Sequence, residues 1–236
     1  MRLIALETAT EACSAALWVD GELRWLLEPG AARRHGELIL DQVDRLLAEA
    51  GLVPGQMDAV AVGRGPGAFT GIRLGLGVAQ GLAFAVDCPV IPVSTLAALA
   101  QQGADRGARQ VLALLDARMG EVYWSLLAVD SARRVGVSEE HLSVPGQIAV
   151  AWAEGPRLAL GSGLGAYPEL MDRLGLRADE VDAGALPCAR EVAILAAAAY
   201  VRGEYLSPDR AQPVYLRDRV AEPRPNPDPR PSGAGS

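Results

Sequence analysis

Residues 63–81 read GRGPGAFTGIRLGLGVAQG, a glycine-dense loop running into a long apolar segment that contains no lysine. Gly63, Gly65 and Gly67 bracket Pro66, a composition that allows positive φ and close approach of the backbone to another surface. Thr70 stands where a helix N-cap is expected. Amides exposed at such a helix start attract an anion, so one reading is a phosphate or carboxylate cradle. A Walker loop is excluded, because Ile72 follows Gly71 and no lysine comes after it. The competing reading is a tight strand-to-helix turn whose helix carries Gly71, Gly75, Gly77 and Gly81 so as to pack closely, within the chain or between subunits.

Upstream of this stretch, residues 3–6, 15–19 and 22–27 read as three short strands, the last two joined by the turn dipeptide Asp20-Gly21. From Glu37 an apolar stripe of Ile39, Val43, Leu46 and Ala50 predicts a helix stopped by Gly51. A strand at 59–62 feeds the glycine loop and the second helix; a strand at 90–93 and a helix from Ser94 to about Gln102 follow. The order is β-β-β-α-β-α-β-α.

Beyond Ala108 the pattern begins again. LIALE, a turn and SAALWVD ending at Asp20 parallel LALLD, a turn and VYWSLLAVD ending at Asp130, with 13 residues from Glu7 to Asp20 and 14 from Asp116 to Asp130. Residues 133–138 and 157–160 read as further strands, 166–174 as a short helix and 187–202 as a long alanine-rich one. An internal duplication of this kind predicts an α/β protein of the duplicated actin-like, hexokinase-like (ASKHA) fold, two mixed-sheet domains facing a cleft. The expected domains are 1–105, carrying the dimerisation helices, and 106–218. A disordered tail is expected at 219–236, where five prolines from Glu222 onward alternate with polar residues.

Half of the 236 residues are apolar, enough for a sizeable core. The balance of 22 basic against 29 acidic residues, −7 net, argues against this surface gripping a polyanion alone. Cys13, Cys88 and Cys188 are far apart and odd in number, as expected of reduced thiols in a cytoplasmic protein. Glu7 interrupts the N-terminal apolar run, and the apolar stretch 74–86 is short and carries Gln80, so neither a signal peptide nor a membrane span is expected.

Candidate sites are sparse. In actin-like kinases the turn between the first two strands holds a hydrated metal and leaves room for phosphates, whereas this chain has Glu7-Thr8-Ala9-Thr10, a longer acid and an added Cβ. Asp116 occupies the corresponding turn of the second half, with Arg118, Gly120 and Glu121 after it; the set either faces an anion in the cleft or pairs internally. Glu7, Asp116 and Arg118 are therefore the weak candidates for a ligand site. Residues 161–166, GSGLGA, match G-x-G-x-x-A, with Glu180 and Asp182 near the distance of a ribose contact, but the following helix contains Pro168 and no further Rossmann units follow. His35 and His141 are the only histidines, so no pair holds a metal, and no G-x-S-x-G elbow is present.

The words GRGPGAFTGIRLG, STLAALAQ from Ser94, DARMGEVYW from Asp116 and PVYLR from Pro213, in this order, resemble the bacterial TsaB (YeaZ) family, a likeness running from Met1 to about Arg219. The resemblance implies the same actin-like fold. It also implies a non-catalytic subunit, required with TsaD to form the threonylcarbamoyl group on N6 of adenosine 37 in tRNAs that read codons beginning with adenine. TsaD would carry the chemistry and a metal-binding H-x-x-x-H, where this chain has His35-Gly-Glu37-Leu-Ile39. TsaE would join, threonylcarbamoyl-AMP would be the donor, and tRNA would be met only through the complex. The alternative is a free-standing ATP-dependent phosphotransferase or ATPase acting between Glu7 and Asp116.

On an ideal helix Gly71 and Gly75 share one side while Gly77 and Gly81 lie about 120° away, so two surfaces need close approach. The helix from Glu37 has a broad apolar arc with Leu38 and Leu47 at its margins. Leu38, Leu47, Gly71, Gly75, Gly77 and Gly81 are accordingly the expected partner-binding residues, with TsaD as the partner and a homodimer on the same patch when TsaD is absent. No cofactor and no metal are expected.

Overall fold

A computed structural model describes residues 1–217. The first half is β1 (Arg2–Glu7), β2 (Cys13–Val19), β3 (Glu22–Glu28), α1 (His35–Ala50), β4 (Ala59–Gly63), α2 (Phe69–Val86), β5 (Val90–Val93) and α3 (Thr95–Asp105). The second is β6 (Gln110–Asp116), β7 (Val122–Ala128), β8 (His141–Ser143), β9 (Arg157–Leu160), α4 (Ser162–Ala166), α5 (Leu170–Arg173), β10 (Val181–Asp182) and α6 (Ala189–Val201). The expected tail at 219–236 lies outside the described residues.

The two sheets have the same plan. The first runs β3-β2-β1-β4-β5 and the second β8-β7-β6-β9-β10. In each, a meander pairs antiparallel, the next strand joins the first in parallel, and the last strand joins that one in parallel. Equivalent order and sense of five strands, twice, is the duplicated actin-like fold. Asp20 and Gly21, with φ of 50° and 100°, close the β2–β3 hairpin as its two-residue loop. Gly51 ends α1 in the left-handed conformation at φ 65°.

Strand alternation sorts the cores. Ile4 and Leu6 of β1 face α1 and α2, packed with Ile39, Val43, Ile72 and Leu76. Leu3 and Ala5 face the other way, onto Val192, Ala193 and Ala196 of α6. In the second sheet, Val111 and Ala113 meet Leu96 and Leu99 of α3, while Leu112 and Leu114 meet Leu164 and Leu170 of α4 and α5. The layers are thus α1 and α2, the first sheet, α6 beside α3, the second sheet, and α4 and α5. The helix closing each half packs on the other half's sheet, so the 1–105 and 106–218 division follows the sheets and cuts across the cores.

Some elements differ from the sequence reading. Residues 133–138 do not form the third strand of the second sheet: the 130–134 turn places Arg133 at φ 57°, and Ser125 and Ser138 hydroxyls donate to the carbonyls of Glu139 and Leu126 where ladder bonds would run. β8 at 141–143 takes the place. The expected helix at 166–174 is split, because Pro168 lacks an amide at the joint between α4 and α5. Thr70 is not an N-cap. The cap is Ala68, which bonds no helix amide through its side chain and instead donates its own amide to Ala9 O at 2.7 Å. Of the loop glycines only Gly65 has a positive φ, 93°; Gly67 is required because a Cβ there would overlap Ala9.

The two ends of α2 therefore respond to an added methyl with opposite sign. A Cβ at Gly71 would overlap the Thr8 carbonyl, whereas at Gly81 it meets nothing within 4 Å. Gly71→Ala is expected to lower unfolding free energy by about 1–3 kcal/mol. Gly81→Ala should raise it by up to about 1 kcal/mol, through helix propensity. Urea denaturation of both variants measures the difference.

Candidate functional site

A cleft of about 770 Å³ separates the two halves, walled by the β1–β2 turn, the starts of α1 and α2, the β6–β7 turn and residues 214–217. Of the expected ligand residues, Asp116 and Arg118 line it and Glu7 does not. Glu7 is 1% exposed, lying beneath Gly63, where a side chain would overlap it. Its Oε1 accepts the Ala9 amide at 2.7 Å and its Oε2 the Thr95 hydroxyl at 3.0 Å. Burial pushes the Glu7 carboxyl above the ordinary carboxylate range, against the bonds from Ala9 and Thr95 that pull it down. Glu7 thus ties the β1–β2 turn to α3 from inside; the reading of a carboxylate facing the cleft is corrected by the pleat of β1, which turns its side chain between the sheets.

The turn itself is occupied by α2. Thr8 Oγ1 donates to Gly71 O at 2.8 Å, and Gly67, Gly71 and Gly75 all run against Thr8 and Ala9 with no room for a Cβ. An amide that would receive phosphate, Ala9 N, is bonded to Glu7.

The second turn is filled too. Arg118, Met119 and Gly120 have φ of 60°, 55° and 80°, and Asp116 accepts the Arg118 amide at 2.8 Å and pairs with its guanidinium at 3.1 Å. Arg217 crosses from the chain's return path to pair with Glu121 and donate to Ala117 O at 3.1 Å. Outside the cleft, Arg64 of the first half and Glu140 of the second form a two-pronged bridge at 3.1 and 3.2 Å. Asp116 and Arg118, and Glu121 and Arg217, are spent on one another, while Glu11 and Arg33, which also line the cleft, form no ion pair among the described residues.

No three His, Cys, Asp or Glu side chains converge for a metal among the described residues. His35 Nε2 lies 3.0 Å from Thr10 O and 3.2 Å from Ala12 O. Both are acceptors, so this nitrogen carries the proton and pins the β1–β2 turn to α1. Ile39, one turn on, is fully buried in the core. The Gly161–Ala166 loop is a packing device: Gly161 and Gly163 abut Leu114, and Glu180 and Asp182 are paired with Arg157 and Arg106.

The expected partner residues divide. Leu47 is core, 3% exposed, and Leu38 is half-buried against the same cluster. Gly71 and Gly75 face Thr8 inside the molecule, because the β1–β2 turn needs that side of α2. Only Gly77 and Gly81 look outward, where a Cβ would meet nothing. On α2, Phe69 and Phe84 are 41% and 61% exposed, and on α1 Leu40 is 47% exposed. α2 has a mean hydropathy of 1.4 over 18 residues, enough by length and composition to cross a membrane, yet only 33% of it is buried. It caps a core with one side and holds an apolar side outward. Phe69, Phe84 and Tyr215 escaped the sequence reading; the four-residue steps from Phe69 through Arg73 and Gly77 to Gly81 carried the signal.

The family model described as TsaD, tRNA N6-adenosine threonylcarbamoyltransferase, matches residues 29–168. The chain is similar to the tRNA threonylcarbamoyladenosine biosynthesis protein TsaB of Escherichia coli K12, 41% identical over 228 residues, covering 94% of this chain and 96% of that protein. The protein of the same name from Haemophilus influenzae is 40% identical over 230 residues, covering 93% and 95%. Among solved structures, YeaZ from Pseudomonas aeruginosa matches with a TM-score of 0.82 at 42% identity, over 91% of this chain and 99% of that one. A second structure from that organism, described as an uncharacterized protein with similarity to peptidase YeaZ, gives 0.84 at 43% identity, over 92% and 99%.

Because Glu7 binds its proton more tightly folded than unfolded, its contribution to stability is full below the ordinary carboxylate range. It is lost as pH rises through the raised folded value. Glu7→Gln keeps the shape and cannot ionise, so it should flatten the fall of stability with rising pH in urea titrations. Glu191, also raised by burial, leaves a residual slope. Glu7→Ala, which removes both acceptors, should cost roughly 1–3 kcal/mol.

Proposed function

This chain belongs to the TsaB family of tRNA threonylcarbamoyladenosine biosynthesis proteins, and from that premise we propose that it is the non-catalytic subunit that docks on TsaD. TsaD transfers the threonylcarbamoyl group to N6 of adenosine 37 in tRNAs reading codons that begin with adenine. TsaE joins this assembly, threonylcarbamoyl-AMP is the donor, and tRNA is met through the complex in the cytoplasm. One observation carries the reading: both turns that would hold a nucleotide in an actin-like fold are filled by the chain's own groups, while α2 presents an uncovered apolar face. The acidic balance of −7 supports a chain that leaves the polyanion to a partner.

The docking surface is the outward side of α2, centred on Gly77 and Gly81, with α1 beside it. Two glycines without neighbours allow a second helix to approach backbone to backbone, as in a helical bundle. The same patch makes the homodimer when TsaD is absent.

An open cleft of about 770 Å³ favours one other reading, a free-standing ATP-dependent phosphotransferase or ATPase. Titration calorimetry of ATP with magnesium into the isolated chain separates the two: heat of binding abolished by Asp116→Ala would support the phosphotransferase, and no heat supports the subunit.

Gly77→Arg should leave the urea midpoint of the chain no lower than wild type and reduce TsaD binding by about a hundredfold or more, since an unpaired buried charge costs several kcal/mol. Gly75→Arg, by contrast, should unfold the chain. Unaltered TsaD affinity in folded Gly77→Arg would overturn the docking surface.

A further inference from the structure

The open face of α2 carries one cation, Arg73, and its environment is unlike that of Arg64, Arg118 and Arg217. Arg64, Arg118 and Arg217 each pair with a carboxylate. Arg73 is held by aromatic rings instead: its guanidinium lies 3.9 Å from the Phe69 ring centre, and its Nε donates to the Tyr215 hydroxyl at 2.7 Å. Phe69 and Tyr215 stack on each other at 5.4 Å. One edge and one face of the guanidinium are thereby fixed, while Nη1 and Nη2 have no carboxylate within bonding distance among the described residues. Among the described residues the fork forms no ion pair, although Asp209 lines the same surface pocket, and two aromatic rings orient it.

Such an arrangement loses little side-chain freedom when it binds, and the fork geometry matches a carboxylate with two parallel hydrogen bonds. It lies one helical turn from Gly77, whose exposed position has nothing within 4 Å of an added Cβ. We propose that Arg73 is a specificity-determining residue of the docking face: its Nη1 and Nη2 take, two-pronged, a carboxylate on the TsaD helix laid across Gly77 and Gly81. The proposal rests on the reading of that face as the TsaD site. Arginine braced by aromatic side chains at the margin of an apolar contact is also the composition in which interface energy concentrates.

The test is TsaD affinity, measured by calorimetry with the TsaD protein of the same cell, for Arg73→Glu, Arg73→Lys and Arg73→Gln. Circular dichroism and urea midpoints establish that each variant is folded. Arg73→Glu should lose about a hundredfold in affinity through like-charge repulsion, and Arg73→Lys about tenfold, because an ammonium keeps the charge but not the fork. Wild type should weaken more steeply with added salt than Arg73→Gln, a difference that a merely structural role would not produce. Wild-type affinity in Arg73→Lys or Arg73→Glu, or equal salt slopes for wild type and Arg73→Gln, overturns the proposal. Gly77→Arg separates the two levels: if it abolishes binding while the Arg73 variants bind normally, the docking face stands and the role of Arg73 falls. If Gly77→Arg also binds normally, both fall.

Discussion

The constraint on which the arrangement depends is the contact of α2 with the β1–β2 turn. Three glycines, Gly67, Gly71 and Gly75, bring the helix so near Thr8 and Ala9 that no side chain fits between them. The Ala68 amide and the Thr8 hydroxyl close the contact with hydrogen bonds. This one approach decides three things at once. It fixes where α2 begins, it fills the inner side of the β1–β2 turn with helix, and it sets the roll of α2 so that Ile72, Leu76, Ala79 and Ala83 enter the core while Gly77 and Gly81 face solvent.

Most of the fold was legible because it rests on short-range signals. Asp20-Gly21 marks a hairpin, Gly51 a helix stop, and the repeat of LIALE and SAALWVD as LALLD and VYWSLLAVD the second sheet. The failures have a common cause in tertiary contacts. Thr70 has the right chemistry for a cap, but the helix starts earlier because Ala9 accepts the amide of Ala68, which becomes the cap. Residues 133–138 have strand composition, yet Asp130 and two serines satisfy the neighbouring backbone groups through side chains.

The site was legible only in part, for the same reason. Glycine spacing indicated that two faces of α2 need close neighbours, and that is so for one of them within the chain. Which face belonged to the interior depended on the register of the helix against Thr8, which spacing alone leaves undetermined. Glu7 looked like a ligand because it stands where related folds keep an acid; its actual partners, Ala9 and Thr95, are set by the inward turn of β1. Tyr215 gained its meaning from the return of the chain, 142 residues on, to Arg73.

The exchange of helices between the sheets bears on how the chain is made. Leu3, Ala5, Ala61 and Ile91 on the inner side of the first sheet are covered by Val192, Ala193 and Ala196. These residues leave the ribosome nearly 100 positions after that sheet is complete, at a synthesis rate on the order of ten residues per second. Until they arrive, an apolar surface spanning both terminal strands of the parallel set stays wet. The newborn polypeptide therefore passes through an interval of about ten seconds in which half a molecule exists without its lid, and in which chaperones have a sheet face to hold.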